Sequence, residues 1–392
     1  MTPWQHSLEE SSLKITDITT FIVHPGVGKN LLFVKVETDE GIHGWGECYT
    51  QSDRDTVMEA HIRKMARYLD GWNPFEVKRF THLAYEDWAT KRGGMDFYCA
   101  ISGIEQALWD IVGKRLGQPV YNLLGGPCRD RIRVYANGWA GHMDTLDDLA
   151  RNAKEAVRKG WTALKFDPFP GPWRLYITRK EEFLAVERVK AVREAVGPDV
   201  DILVEVHRRL APMHAIRVAH MMEEYKPFWY EEPVPAENLD AMAEVRRSIR
   251  IPVVTGECLY TKAEFRKVLE KMAADILNPD ICNTGGVLEL KEIAAMAEPY
   301  YIQVSPHGYN STTVGLGASI QASAVMTNFL IMEYPLGFEP MGFDIAVNPL
   351  RVENSYIQLP TAPGLGIELK EEALDQYKYK EFPKRKIPRY LA

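Results

Sequence analysis

The feature that most constrains the fold is a regular alternation of short apolar runs and amphipathic helices after residue 130. Eight apolar runs follow one another: RIRVYANGW, ALKFDPF, DILVEVH, PFWYEEP, IPVVTGE, ADILNPD, YIQVSPH and FLIMEYP. Helical stretches such as LDDLARNAKEAVRKG and KAEFRKVLEKMA lie between them. Strands that alternate with helices form parallel sheets, and eight such units can close into a barrel without exposed edges. The alternation therefore predicts an α/β fold of the (β/α)8, or TIM-like, barrel type.

The chain before this repeat has a different pattern. Apolar residues alternate from Leu13 to Cys48, with turn residues at 39–41, and then recur at helical spacing from Asp53 to Leu116. These patterns predict an α+β unit. We therefore expect an N-terminal α+β capping domain over residues 1–130 and a barrel domain over residues 131–358. A C-terminal segment, residues 359–392, is expected to return to the capping domain.

Composition excludes several classes of protein. The chain has 47 Lys and Arg against 54 Asp and Glu, a net charge of −7, which is opposite to what binding nucleic acid requires. We find neither a signal-peptide pattern nor an apolar stretch of about 18 residues, so no membrane association is expected. Five scattered cysteines without a C-x-x-C pair fit a reducing compartment, which predicts a cytoplasmic protein.

Ionisable residues end seven consecutive apolar runs, from the second to the eighth. They are Lys165 and Asp167, Glu205 and His207, Glu231 and Glu232, Glu257, Asp280, His307, and Glu333. A buried parallel strand gains no stability from a charge at its end, whereas barrel enzymes place their active sites at the C-terminal ends of the strands. The pattern therefore predicts a functional site at that end of the barrel.

Three of these glutamates indicate a metal ion. Glu205, Glu231 and Glu257 follow one another at intervals of 26 residues, one strand and helix apart, so they should meet at one height of the barrel. Two such charges 4 Å apart repel by about 4 kcal/mol at an effective dielectric of 20, so the trio needs protons or a cation. Ligation by oxygen alone favours one Mg²⁺ over zinc. Any one of them taken alone could equally be a helix cap or an ion-pair partner.

Together these residues resemble the enolase superfamily, specifically its mandelate-racemase-like branch. The resemblance extends over nearly the whole chain and includes the GWGE turn at 44–47, the segment AISGIEQALWDIVGKRLGQPVYNLLGG, the three spaced glutamates, NPD at 278–280, SPH at 305–307, and the acidic end of the eighth run. It implies that Glu205, Glu231 and Glu257 bind Mg²⁺ and that Asp280 and His307 form a catalytic dyad.

His207 distinguishes between the reactions of this branch. Side chains two apart on a strand share a face, so His207 should point into the site beside Glu205. In the gluconate- and galactonate-type sugar-acid dehydratases, which this chain resembles most, a histidine at this position protonates the departing hydroxyl group. The resemblance gives that role to His207, with His307 as the base. The first metal ligand of those enzymes is often aspartate, whereas this chain has Glu205.

Three further residues are expected to contact substrate. Racemases of the branch carry a second lysine two positions after the first, but here Lys165 is followed by Asp167, which favours one-base elimination. Lys165 would neutralise the substrate carboxylate and Asp167 would bind a hydroxyl group, although the two could instead form a structural ion pair. By resemblance Glu333 contacts the substrate carboxylate, which requires it to carry or share a proton.

These inferences predict a Mg²⁺-dependent dehydratase of an acid sugar, an aldonate such as gluconate or galactonate, that yields a 2-keto-3-deoxy acid. An epimerase, racemase or cycloisomerase on the same scaffold is one alternative, and a binding or regulatory protein without turnover is another. The expected partner is a small acid sugar. By resemblance we also expect a homo-oligomer, either a dimer or an octamer.

Other motifs allow more than one interpretation. GVGKN at 26–30 is not a phosphate loop, because Val23 replaces its first glycine and Asn30 its final Ser or Thr. In relatives this region, with His24, is a capping loop. NTGG at 283–286 is a turn before a helix or an anion site. Three aromatic residues either line the sugar pocket or pack in the core; they are Trp139, Phe169 and Trp173.

Overall fold

The computed structural model describes residues 13–51, 53–141, 143–170 and 175–384. The chain opens with an antiparallel sheet in the order β1 (Ile15–Val23), β2 (Leu31–Thr38) and β3 (His43–Cys48). Its residues are rich in Val, Ile, Phe and Thr, which suit a pleated surface with one buried face. Gly41 adopts a φ of +77° in the turn between β2 and β3, a conformation that glycine reaches without strain.

Helices cover one face of this sheet. They are α1 (Asp55–Leu69), α2 (Val77–Leu83), α3 (Met95–Leu116) and α4 (Val120–Leu123). α3 lies directly against β3, where a Cβ at Gly44 or Gly46 would stand only 2.1 or 1.7 Å from a carbonyl oxygen of α3. The GWGE segment, expected to be a turn, thus lies within β3, and its two glycines are required for the close approach of this helix to the sheet.

The rest of the chain alternates strand and helix. The strands are β4 (Arg131–Asn137), β5 (Ala163–Phe166), β6 (Asp201–Glu205), β7 (Trp229–Glu231), β8 (Val253–Thr255), β9 (Ile276–Leu277), β10 (Gln303–Val304) and β11 (Met332–Pro335). The helices between them are α5 (Leu146–Arg158), α6 (Arg179–Val196), α7 (Pro212–Met222), α8 (Leu239–Ser248), α9 (Thr261–Lys271), α10 (Val287–Ala297) and α11 (Val314–Val325).

These strands form one curled parallel sheet. Consecutive strands pair from β4 to β10, and β11 pairs with β4 on the other side. Val304 completes the ring, because its N–H donates to Asn328 O and its carbonyl accepts from Leu330 N, both at 2.9 Å. The barrel fold with an N-terminal antiparallel cap is confirmed.

The C-terminal part of the chain crosses back to the first elements. It contains α12 (Glu339–Ile345), β12 (Tyr356–Gln358), which pairs antiparallel with β4, and α13 (Glu371–Leu374). The Leu365 N–H donates to Asp110 of α3 at 2.8 Å, and His24 N donates to Tyr377 O. Within the described ranges, no helix is long and apolar enough to cross a membrane, and the five cysteines are all unpaired.

Candidate active site

Three glutamates meet at the C-terminal end of the barrel. Glu205 and Glu231 end β6 and β7 and are partners in the parallel register, and Glu257 lies two residues beyond β8. All three are buried, and one carboxylate oxygen from each lies within 4.8 Å of the others. The structure thus brings together the three residues that the spacing singled out.

Burial and neighbouring charges shift the pKa values of all three glutamates. Burial, together with the repulsion from Glu257, raises the pKa of Glu205 to about 8. Burial and the charge of Glu205 raise the pKa of Glu231 well above its usual range. Burial acts in the same direction on Glu257, but the positive charges of His307, Arg208 and Lys165 outweigh it and lower its pKa. Without a cation, burial and mutual repulsion therefore favour the protonated forms of Glu205 and Glu231.

The trio suits a hard divalent cation. Glu205 Oε2 is buried, lies 3.7 Å from Lys165 Nζ, and accepts no hydrogen bond from the residues that the structure describes. The donor set contains only carboxylate oxygens, which Mg²⁺ prefers over nitrogen or sulfur. An unused buried oxygen inside an acidic cluster is the feature that a bound cation would satisfy.

Lys165 contacts three carboxylates of the site. Its Nζ is 3.0 Å from Glu333 Oε1, 3.3 Å from Glu231 Oε1 and 3.7 Å from Glu205 Oε2. Burial opposes its charge, but these carboxylates, Glu231 first, raise its pKa well above the usual value. Lys165 is therefore an ammonium ion at the centre of the acidic residues, and it contacts these residues rather than Asp167.

Asp280 and His307 form a hydrogen-bonded pair on neighbouring strands. His307 Nδ1 is 2.7 Å from Asp280 Oδ2, and Cys282 N donates to the other Asp280 oxygen at 2.7 Å. Since Nδ1 is held by Asp280, Nε2 faces the site, 3.1 Å from Glu257 Oε2. Burial opposes the charge on the ring, yet Glu333 and Glu257 raise the pKa of His307 to about 9.

Glu333 lies among groups that favour its ionised form. It accepts hydrogen bonds from Asn137 Nδ2 at 2.5 Å and Gly308 N at 3.0 Å, in addition to its contact with Lys165. Despite burial, Lys165 and His307 lower its pKa to about 2. These contacts favour the ionised form of Glu333, and its contact with a substrate carboxylate, which would require a shared proton, stays a prediction.

His207 lies near the site, but not for the reason the sequence suggested. β6 ends at Glu205, and His207 has a φ of +54°, so strand alternation no longer sets its direction. Its N–H donates to Glu205 Oε1 at 2.6 Å, and its ring Nδ1 is 2.8 Å from Asp167 Oδ2. Asp167 also accepts from Arg209 Nη2. A turn after the strand therefore joins His207 to Asp167.

Two residues of the site were missed from sequence. Arg208, beside His207, contacts Glu257 Oε1 with its guanidinium group. Lys29, the lysine of GVGKN, is buried, donates to Thr50 O at 2.9 Å and lies 3.9 Å from the centre of the Tyr49 ring. Burial lowers its pKa to about 8. The Tyr49 ring lies 6.0 Å from the His307 ring, so the motif brings a cation of the cap close to the dyad.

A cavity of about 830 Å³ adjoins the trio through Glu257. The residues that line it come from both domains: Tyr49, Gln51, Asp53, Arg54, Met95, Arg208, Glu257, Cys258, Tyr260 and Asn283. His24 instead packs edge-on against Phe382, with 5.8 Å between the rings. Trp139 and Phe169 are buried, and the Trp139 indole donates to Lys165 O, which favours the packing interpretation. Trp173 lies outside the described residues.

The NTGG segment forms the turn into α10. Gly285 and Gly286 have φ values of +125° and +95°. The N–H groups that follow, of Val287 and Leu288, donate to the Glu105 carboxylate at 2.6 and 3.0 Å. The acceptor at this helix start is therefore a carboxyl side chain of the protein itself.

Comparisons with known proteins agree with this geometry. Residues 19–125 match the family described as mandelate racemase/muconate lactonizing enzyme, N-terminal domain, and residues 148–373 match the one described as enolase C-terminal domain-like. A D-gluconate dehydratase of Thermoproteus tenax is 36% identical over 349 residues, which cover 88% of this chain and 69% of the relative. A D-galactonate dehydratase of Variovorax paradoxus (strain S110) is 36% identical over 368 residues, covering 92% and 94%.

A solved structure is equally similar. The crystal structure of a mandelate racemase/muconate lactonizing enzyme-like protein from Roseovarius sp. TM1035 superimposes with a TM-score of 0.88 at 37% identity, covering 96% of this chain and 99% of that one. Both family matches lie where the structure has its cap and its barrel. This chain belongs to the mandelate racemase and muconate lactonizing enzyme family of the enolase superfamily.

Proposed function

We propose that this protein is a Mg²⁺-dependent dehydratase that converts an aldonate such as gluconate or galactonate into a 2-keto-3-deoxy acid. Members of the superfamily bind a divalent metal ion, and relatives at about 36% identity are named as gluconate and galactonate dehydratases. The observation that carries the proposal is the contact between His307 Nε2 and Glu257, which places a base beside the three carboxylates.

Glu205, Glu231 and Glu257 would hold Mg²⁺, whose positive charge stabilises the negative charge that builds on the substrate carboxylate when the adjacent carbon is deprotonated. His307 removes the C2 proton through Nε2. Asp280 keeps Nδ1 engaged, so that Nε2 faces the substrate. Glu257 is one of the charges that raise the pKa of His307, so a cation bound to Glu257 would favour the neutral ring that a base requires. Lys165, an ammonium ion among carboxylates, offers its charge to the substrate carboxylate.

His207 supplies the second proton transfer. Its ring donates a proton to the 3-hydroxyl group as the C3–O bond breaks, so that water leaves, and the resulting enol tautomerises to the keto acid. Asp167, which holds His207 Nδ1, sets the orientation of the ring. Since its contacts favour the ionised form of Glu333, we assign it to anchoring Lys165 and Asn137.

The test is a screen of mono- and diacid sugars with Mg²⁺ for keto-acid formation, followed by His207→Asn on the best substrate. We expect the variant to lose at least about 100-fold in turnover and still to exchange the C2 hydrogen with D₂O. His220→Asn, at an exposed histidine of α7, is the control and should match the wild type. Full turnover in His207→Asn would remove His207 from the mechanism, and C2 exchange by the wild type without keto acid would indicate an epimerase.

A further inference from the structure

We infer that Arg208 is an internal counter-cation of the metal site, which occupies Glu257 in the metal-free protein, lowers the affinity for the divalent ion, and moves to Glu232 when the ion binds. The inference rests on the metal site of the proposed function. It assigns roles to two residues that the proposed reaction does not use.

The backbone directs Arg208 toward the carboxylates. Arg208 has a φ of +60°, and its N–H donates to Glu232 O at 2.7 Å, just after β6 ends. This turn sends the side chain across the mouth of the barrel instead of along the strand. The guanidinium contacts Glu257 Oε1 and lies 3.5 Å from Glu232 Oε2, with 22% of the side chain exposed.

The three glutamates differ in the neighbours of their oxygens. Both oxygens of Glu257 face groups that can carry positive charge, Arg208 on Oε1 and His307 at 3.1 Å from Oε2. Glu205 Oε2 accepts no hydrogen bond from the described part of the chain. At Glu205 Oε2 a divalent ion would meet the Lys165 ammonium at 3.7 Å, whereas at Glu257 it must share or displace two closer contacts.

Glu232 offers Arg208 a second acceptor. Its Oε1 is held by Thr255 Oγ1 at 2.5 Å and by Gly256 N at 3.0 Å, which fixes the carboxylate next to the site. Its Oε2 is the oxygen that lies 3.5 Å from Arg208. A short shift of the guanidinium from Glu257 to Glu232 would leave Glu257 to the metal ion without leaving either charge buried and unpaired.

The experiment measures metal affinity in the chelator-treated, full-length protein without substrate. Mn²⁺ is titrated and the free ion is followed by electron paramagnetic resonance, with Mg²⁺ calorimetry as a second readout. Arg208→Gln should bind Mn²⁺ about tenfold more tightly, because a competing positive charge is gone. Arg208→Lys should stay near the wild type. Arg54→Gln is the matched control, since Arg54 lines the same cavity but pairs with Asp96.

A second pair of variants tests the move to Glu232. Glu232→Gln should weaken Mn²⁺ binding several-fold, and this effect should shrink when Arg208→Gln is also present, because the two residues would then act through each other. An unchanged or weaker affinity in Arg208→Gln, or an equal effect of Glu232→Gln in both backgrounds, overturns the inference. If the wild type itself binds neither ion, the metal site of the proposed function fails as well.

Discussion

The protein buries two sets of three carboxylates, of which one set is spread out and the other is clustered. One set, Glu47, Glu105 and Asp110, belongs to the cap and binds segments of the barrel and of the C-terminal part of the chain. The other set, Glu205, Glu231 and Glu257, lies at the barrel mouth. The two sets are alike in burial and in residue type. They differ in whether each carboxylate is satisfied on its own.

The carboxylates of the first set are separately supplied with donors. Glu47 accepts from Ser311 N, Ser311 Oγ and Gly315 N at 2.5 to 2.8 Å. Asp110 accepts from Trp45 N and Leu365 N and lies 2.8 Å from Lys114 Nζ. Each therefore ties a segment of the cap to a distant part of the chain. Removing such a carboxylate would leave buried donors unpaired, which costs stability.

The second set is grouped rather than separated. Its oxygens face one another, and Glu205 Oε2 finds no donor in the described chain. Such a cluster costs folding free energy unless a cation enters it. Burial alone therefore does not identify a functional carboxylate, whereas the mutual approach of three carboxylates, with one oxygen left without a donor among the described residues, does.

The largest expected effect comes from Glu231→Gln at the barrel mouth. We expect kcat/KM to fall by at least about 1,000-fold, because a metal ligand and the charge that holds the ion are both lost. The metal-free protein should stay within about 1 kcal/mol of the wild type, since relief of the repulsion among the glutamates offsets the lost contact with Lys165. Steady-state kinetics and urea unfolding in chelator measure the two quantities. Retained activity with a large loss of stability would reverse the contrast between the two sets.

Glu105→Ala should have the opposite effect to Glu231→Gln, lowering the stability of the fold and leaving metal binding unchanged. The Val287 and Leu288 N–H groups and the Trp109 indole would lose a buried acceptor, so we expect the free energy of unfolding to fall by about 3 kcal/mol. Affinity for Mn²⁺ should stay within about twofold of the wild type, because Glu105 touches none of the three mouth glutamates. Urea unfolding and Mn²⁺ titration provide the measurements. Unchanged stability would show that Glu105 does not hold α10.

The sequence predicted the three glutamates at the barrel mouth, but not the partners of the buried carboxylates of the cap, for a physical reason. Glu205, Glu231 and Glu257 recur with the strand and helix repeat, so their spacing alone places them together. Glu105 meets Val287 from 182 residues away, and no repeat relates the two. The position of His207 was predicted from strand alternation, but the strand ends two residues earlier, and a positive φ turns it toward Asp167.

Adding Mg²⁺ should stabilise the protein by binding to the three glutamates at the barrel mouth and not to the buried carboxylates of the cap. At a free concentration of about 100 times the dissociation constant, binding to the folded state contributes about 2.7 kcal/mol, which raises the melting temperature. The rise in melting temperature should vanish in Glu205→Gln. It should persist in Glu105→Gln, in which a side chain of the same size and an oxygen acceptor remain at position 105. Scanning calorimetry with and without chelator compares the three proteins. A full shift in Glu205→Gln would mean that the ion binds elsewhere.

The smallest expected effect is a pH dependence of the stability of the fold, which comes from Glu105. Burial raises the pKa of Glu105 from 4.5 to about 8 against its hydrogen bonds from Leu288, Val287 and Trp109. Between these two values the folded protein holds a proton at Glu105 that the unfolded chain releases. Its contribution to stability is therefore fully present below pH 4.5 and is lost as the pH rises toward 8.

The matched variant for this effect is Glu105→Gln, which cannot titrate but keeps an oxygen acceptor near Val287 and Leu288. The wild type should lose about 2 kcal/mol relative to the variant between pH 6 and pH 8, measured by urea unfolding in chelator. Parallel pH profiles would mean that Glu105 is ionised throughout. The three donors would then outweigh burial in setting the pKa of Glu105.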